Sequence, residues 1–137
     1  MGNPGERYAE TRHNAGFRVV ERLAAREGIR IRSRESGSRV GRGSVEGRQV
    51  VLALPQTYMN ASGEAVLALC QSNGIDPTEI CVVSDEIDLP LGALRMRPRG
   101  SAGGQKGLAS IISRLGTSEF PRLRVGVRGP HYSRERE

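Results

Sequence analysis

Ile80-Cys81-Val82-Val83-Ser84-Asp85 decides the fold. Its first four residues are apolar without alternation, and the run is too short for a helix. That combination predicts a strand buried on both faces, as in sheets covered by helices. The carboxylate that follows, Asp85, falls at the C-terminal end of the run, where open α/β sheets place their ligands. Just upstream, Asp76-Pro77-Thr78-Glu79 is a one-turn helix start, with Asp76 as cap and Pro77 at the first helical position.

Further out, apolar periodicity predicts a helix over 15–28, capped by Asn14. Phe17, Val19, Val20, Leu23 and Ala24 share one face, and Gly28 closes the helix. Residues 38–54 read as a β-hairpin, with Val40 on one arm, Gly47-Arg48 at the turn and Val50-Val51-Leu52-Ala53-Leu54 on the other. A helix over 61–73 follows, capped by Asn60 or Ser62, with Ala65, Val66, Leu69 and Cys70 inward. Leu94 to Pro98 reads as a strand with Arg95 and Arg97 on one face. Gly100-Ser101-Ala102-Gly103-Gly104 is a loop leading into a helix over 106–115. Leu123 to Val127 reads as the last strand. Helices alternating with strands and one hairpin give an α/β class with a single mixed sheet flanked by helices. The organisation expected is one domain over 1–128 and an irregular tail over 129–137.

The chain has 137 residues, a length suited to one domain with a substantial core. Aromatic residues are 4% and Trp is absent, so Leu, Val, Ile and Ala must build that core. No apolar run is long enough to span a bilayer, and no leader-like segment opens the chain. Cys70 and Cys81 match neither a metal spacing nor a disulfide framework. A soluble, cytoplasmic protein is expected. Basic residues number 21 against 15 acidic, a formal net charge of +6, and all but Lys106 of the basic set are Arg. The guanidinium fork suits phosphate, which favours a phosphate-rich partner. Arg-biased codon usage gives the same composition.

Nucleophile-elbow, zinc-helix and P-loop signatures are absent, and Gly41-Arg42-Gly43 sits in the hairpin rather than at a helix start. What remains is polar residues at element ends. His13 stands before the first helix and Asp85 after the apolar run. An imidazole with a carboxylate partner is the minimum for activating water as a general base. Asn3 and Asn60 carry amides that can hold a carbonyl and its oxyanion. Each residue also has a plain structural reading. His13 is a surface or capping residue, Asp85 a cap for Glu86–Leu89, Asn60 a helix cap and Asn3 a turn former. Tyr58 and Met59 are core, and Arg95 and Arg97 a solvated face. Spacing alone leaves a basic α/β domain of hydrolytic type.

Read together, five segments resemble the bacterial peptidyl-tRNA hydrolase family. They are Gly2-Asn3-Pro4-Gly5 with Tyr8 and Thr11–Gly16; Pro55–Gly63; Ser84–Gly92; Gly100–Leu108; and Phe120–Val127. They occur in the family's order over residues 2–128. The resemblance implies a phosphorylase/hydrolase-like mixed sheet and a monomeric esterase without metal or cofactor. The implied substrate is peptidyl-tRNA, cleaved at the ester joining peptide to terminal ribose. By motif, His13 is the implied base and Asp85 its orienting partner. Asn3 and Asn60 are the substrate-holding amides. Tyr8, Tyr58 and Met59 line the pocket, and Arg95 and Arg97 face tRNA phosphates.

Three departures stand out. The family has an apolar strand before Gly-Asn-Pro-Gly where this chain has Met1 alone, which predicts an unpaired edge beside a central strand. The residues 129–137 do not match the family's continuation. The fourth motif has Gln105 and Lys106 where the family often has His and Asn, so Lys106 is assigned to substrate or phosphate. His131 has no counterpart. The alternatives are a non-catalytic RNA-binding module of the same family and an inactive truncated product.

Overall fold

The computed structural model describes Met1, residues 15–58 and residues 61–128. The first helix, α1 (Ala15–Glu27), buries Gly16, Phe17 and Ala24. It ends as the sequence predicts, with Gly28 at φ 68° and the Ile29 amide donating to the Ala24 carbonyl at 2.8 Å. Ala24, Ile29 and Leu52 form a small core lined by Val20, Leu23, Ile31, Val45 and Val50.

The hairpin is β2 (Ser38–Val45) against β3 (Arg48–Pro55). Val45 pairs with Arg48, so the two-residue turn is Glu46-Gly47, one residue earlier than predicted. The reason is backbone sign. A hairpin turn matched to strand twist needs positive φ at both central positions, and Glu46 (50°) and Gly47 (79°) supply it. Val40 and Leu54, which this register sets on opposite faces of the hairpin, are both fully buried. A third strand, β1 (Ser33–Glu35), was not anticipated. It pairs with β2 through Glu35 and Ser38, across a second positive-φ pair, Ser36-Gly37.

The helix α2 (Ser62–Asn73) begins as expected, but Ala61 occupies the cap position and makes no side-chain capping bond. The one-turn 3-10 helix Pro77–Glu79 carries a complete capping box between Asp76 and Glu79. The decisive strand, β4, runs Val82–Pro90, later and longer than the apolar run. Ile80 and Cys81 precede it, and Cys81 is an exposed thiol. Asp85 therefore lies inside the strand and is no helix cap. The strand stays extended past its apolar part because β6 (Arg122–Arg128) pairs with it in parallel, and the register shifts between Glu86 and Pro90. On the far side of β6 lies β5 (Leu94–Arg97), antiparallel.

The α/β class and the mixed strand directions hold. Among the described residues the strands form two three-stranded sheets, β1-β2-β3 and β4-β6-β5, rather than one. On the edge of β4 away from β6, the Val83 carbonyl accepts the Met1 α-amine at 2.7 Å. The Met1 carbonyl in turn accepts the Phe17 amide. One acceptor on that edge, the Val83 carbonyl, is thus met by Met1. Met1 also belongs to the main core, with Val82, Leu108, Ile111 and Phe120. Desolvation lowers its amine to about 5, opposed by the charge of Asp85.

The helix α3 (Lys106–Leu115) starts and stops where periodicity predicts. It packs against α2 at Gly63, where a Cβ would strike the Ser110 carbonyl. Glu64 and Arg114 bridge the same two helices at 2.6 Å. The tail over 129–137 lies outside the described residues.

Candidate active site

Two adjacent residues of β4 carry buried carboxylates in opposite environments. Glu86 is ion-paired with Arg124 at 2.9 Å, and both side chains are largely shielded from water. Its other oxygen accepts the Asp88 amide at 3.1 Å. Asp85 is 5% exposed. Its Oδ1 accepts from the Gln105 side-chain amide at 3.1 Å.

Gln105 reaches Asp85 because of where the loop 100–105 ends. Gly103 and Gly104 both adopt positive φ, and the Arg124 guanidinium lies 3.1 Å from where a Cβ on Gly103 would sit. A side chain there would be strained and crowded at once. The loop passes directly into α3, with Gln105 at the cap position and its Oε1 accepting the Leu108 amide at 2.8 Å.

The start of that loop is held from β6. Arg122 is fully buried and donates to the carbonyls of Gly100 (2.6 Å), Ser101 (3.1 Å), Ser118 (2.8 Å) and Phe120 (3.2 Å). Its guanidinium lies 4.5 Å from the centre of the Phe120 ring. Burial, with Arg124 nearby, lowers its proton affinity. Arg124 also donates to the Ser101 carbonyl at 3.2 Å. Two arginines of one strand therefore fasten both flanks of the segment 100–120.

Of the residues predicted from sequence, Asp85 and the fourth-motif loop come together. Lys106, exposed, is the first residue of α3 beside Gln105. Tyr58 is 61% exposed, so it is no core residue. Arg95 and Arg97 are exposed on β5, directly opposite Arg124 and Arg122 of β6. Like charges opposite each other repel. Arg124 has Glu86 and Arg122 has its carbonyls, while Arg95 and Arg97 carry no ion pair among the described residues. His13, Asn3, Tyr8, Met59 and Asn60, and also His131, lie outside the described residues.

Sequence reasoning assigned no role to Glu86, Arg122 or Arg124, and treated Gln105 only as a departure from motif. One signal for Gln105 was available: a polar residue between a Gly-Gly pair and a predicted helix occupies a cap. Among the described residues no group of three or more His, Cys, Asp or Glu could hold a metal, and no helix is long and apolar enough to cross a membrane.

A mixed α/β protein with a shielded carboxylate on its parallel strand pair, tethered to the end of a glycine loop, and with arginines on the neighbouring strand that carry no ion pair among the described residues, has the makings of a hydrolase for a phosphate-bearing substrate. The chain belongs to the peptidyl-tRNA hydrolase family, whose model matches residues 1–137. The match includes 129–137, beyond the span over which the motifs were read. It is similar to the peptidyl-tRNA hydrolase of Chloroflexus aurantiacus, 56% identical over 131 residues, covering 95% of this chain and 70% of that protein. The peptidyl-tRNA hydrolase of Desulforudis audaxviator is 52% identical over 127 residues, 93% of this chain and 65% of that protein. Among solved structures, the peptidyl-tRNA hydrolase of Acinetobacter baumannii superposes with a TM-score of 0.91 at 43% identity, over 98% of this chain and 68% of that one.

Proposed function

We propose that this chain hydrolyses peptidyl-tRNA, with water activated by His13 and His13 oriented by Asp85. It does so as a cytoplasmic monomer without metal or cofactor, as the resemblance implies. His13 takes a proton from water as the oxygen attacks the ester carbonyl carbon. Asp85 steadies the imidazolium that forms. Asn60 donates to the carbonyl oxygen as it gains negative charge, and Asn3 holds the substrate beside it. The carbon–oxygen bond to the terminal ribose then breaks, and the leaving hydroxyl receives the proton from His13. Tyr8, Tyr58 and Met59 wall the ester, and Lys106, Arg95 and Arg97 meet phosphate.

The observation that carries this reading is the buried, hydrogen-bonded Asp85 inside a motif of a matched hydrolase family. The relatives' shared name supports the catalytic reading over the non-catalytic one. Release of labelled N-acetyl-aminoacyl-tRNA is the test. The substitution His13→Ala is expected to slow release by about 10²–10⁴-fold. Equal rates for variant and wild type would overturn the assignment.

A further inference from the structure

We propose that Gln105 is a positioning residue, holding the Asp85 carboxylate in place through a neutral side-chain amide. The inference rests on the reading of Asp85 as the orienting partner of the base.

The amide of Gln105 has a single workable orientation. Its oxygen accepts the Leu108 amide hydrogen, and its nitrogen donates to Asp85 Oδ1. A flipped amide would set NH₂ against N–H and oxygen against carboxylate. The first turn of α3 thus fixes the amide, and the amide fixes the carboxylate. Arg122 and Arg124 hold the other end of the same loop at Gly100 and Ser101, so the tether has little slack.

Charge separates Asp85 from its neighbour. Glu86 is paired with a guanidinium, which cancels most of its field. Asp85 is tethered by a neutral donor. The nearby Met1 amine, lowered to about 5 by burial, carries little charge at neutral pH. The hydrogen bond from Gln105 thus orients Asp85 Oδ1 without bringing a cation to it. Two adjacent carboxylates in unlike environments take unlike roles.

Two substitutions separate tether from helix cap, since both keep an acceptor for the Leu108 amide. Gln105→Asn is one methylene too short to reach Asp85 as well. Gln105→Glu replaces the donor with a second carboxylate. With N-acetyl-aminoacyl-tRNA, kcat should fall about tenfold for Gln105→Asn and further for Gln105→Glu. KM should stay within about twofold, and the urea midpoint should stay at the wild-type value. The carboxyl carbon resonance of Asp85 should move in both variants. Unchanged kcat, or a loss that follows a lowered urea midpoint, would overturn the proposal. If the wild-type chain releases no product, the reading of function fails. The Asp85 resonance then decides for Gln105 alone: moved, the tether stands; unmoved, it falls.

Discussion

Arg122 shows how much a single side chain can do when it is buried without a carboxylate. It is enclosed entirely, stacked on Phe120, and shares four backbone carbonyls on both sides of α3. Replacing it by Met keeps the volume and removes every donor. The Gly100 and Phe120 carbonyls then lose this donor, while Ser101 keeps Arg124 and Ser118 keeps the Gly100 and Phe120 amides, and a buried group left unmet is costly. Arg122→Met is expected to lower unfolding free energy by about 3 kcal/mol in urea titration. It should also lower kcat, because the loop ending at Gln105 loses its anchor. None of this was visible in the alternation Leu123-Arg124-Val125, which reads equally well as a solvated strand face. Alternation reports which way a side chain points. It does not report that a neighbouring loop folds back to cover it. Asp85 was legible because an apolar run leads straight to it, and Gln105 was half-legible as a cap. The pairing of the two depends on a loop path set by Gly103 and Gly104, which no local pattern encodes.

Helices were the most legible elements. The 3.6-residue period of α1 and α3 and their closing glycines are local features, and the boundaries came out within a residue or so. Strands depended on partners. β4 extends beyond its apolar run because β6 lies beside it, and β1 is too short and polar to announce itself. The hairpin turn moved by one residue because φ sign, not residue polarity, selects the central pair. That selection makes a prediction. Gly47 sits at φ 79° with open space around it, so Gly47→Ala meets backbone strain without any clash. It should cost about 1 kcal/mol in thermal or urea unfolding. Activity should be unchanged, since the hairpin is in the other sheet from Asp85. A variant as stable as wild type would show that the turn can change type freely.

At the scale of the whole molecule, two electrostatic features set behaviour in solution. The first is the Met1 amine, whose pKa falls from 8.0 to about 5 on burial. Between those values the unfolded chain binds more protons than the folded one, so stability rises with pH across that window. The rise amounts to about 4 kcal/mol, levelling off above pH 8. Urea midpoints at pH 5.5 and 8.5 check it, and equal midpoints would contradict it. The second feature is the net charge of +6. Much of it is spread over guanidiniums, and Arg95 and Arg97, on an exposed strand that borders the strand pair holding Asp85, carry no ion pair among the described residues. If they bind substrate phosphates, each contact releases counterions, and log KM should rise steeply with log salt concentration. Arg95→Ala with Arg97→Ala should weaken KM, leave kcat unchanged, and flatten that slope by about two, one for each lost contact. An unchanged slope would place both guanidiniums off the path of the tRNA, because a group that meets no phosphate releases no counterion whatever its exposure.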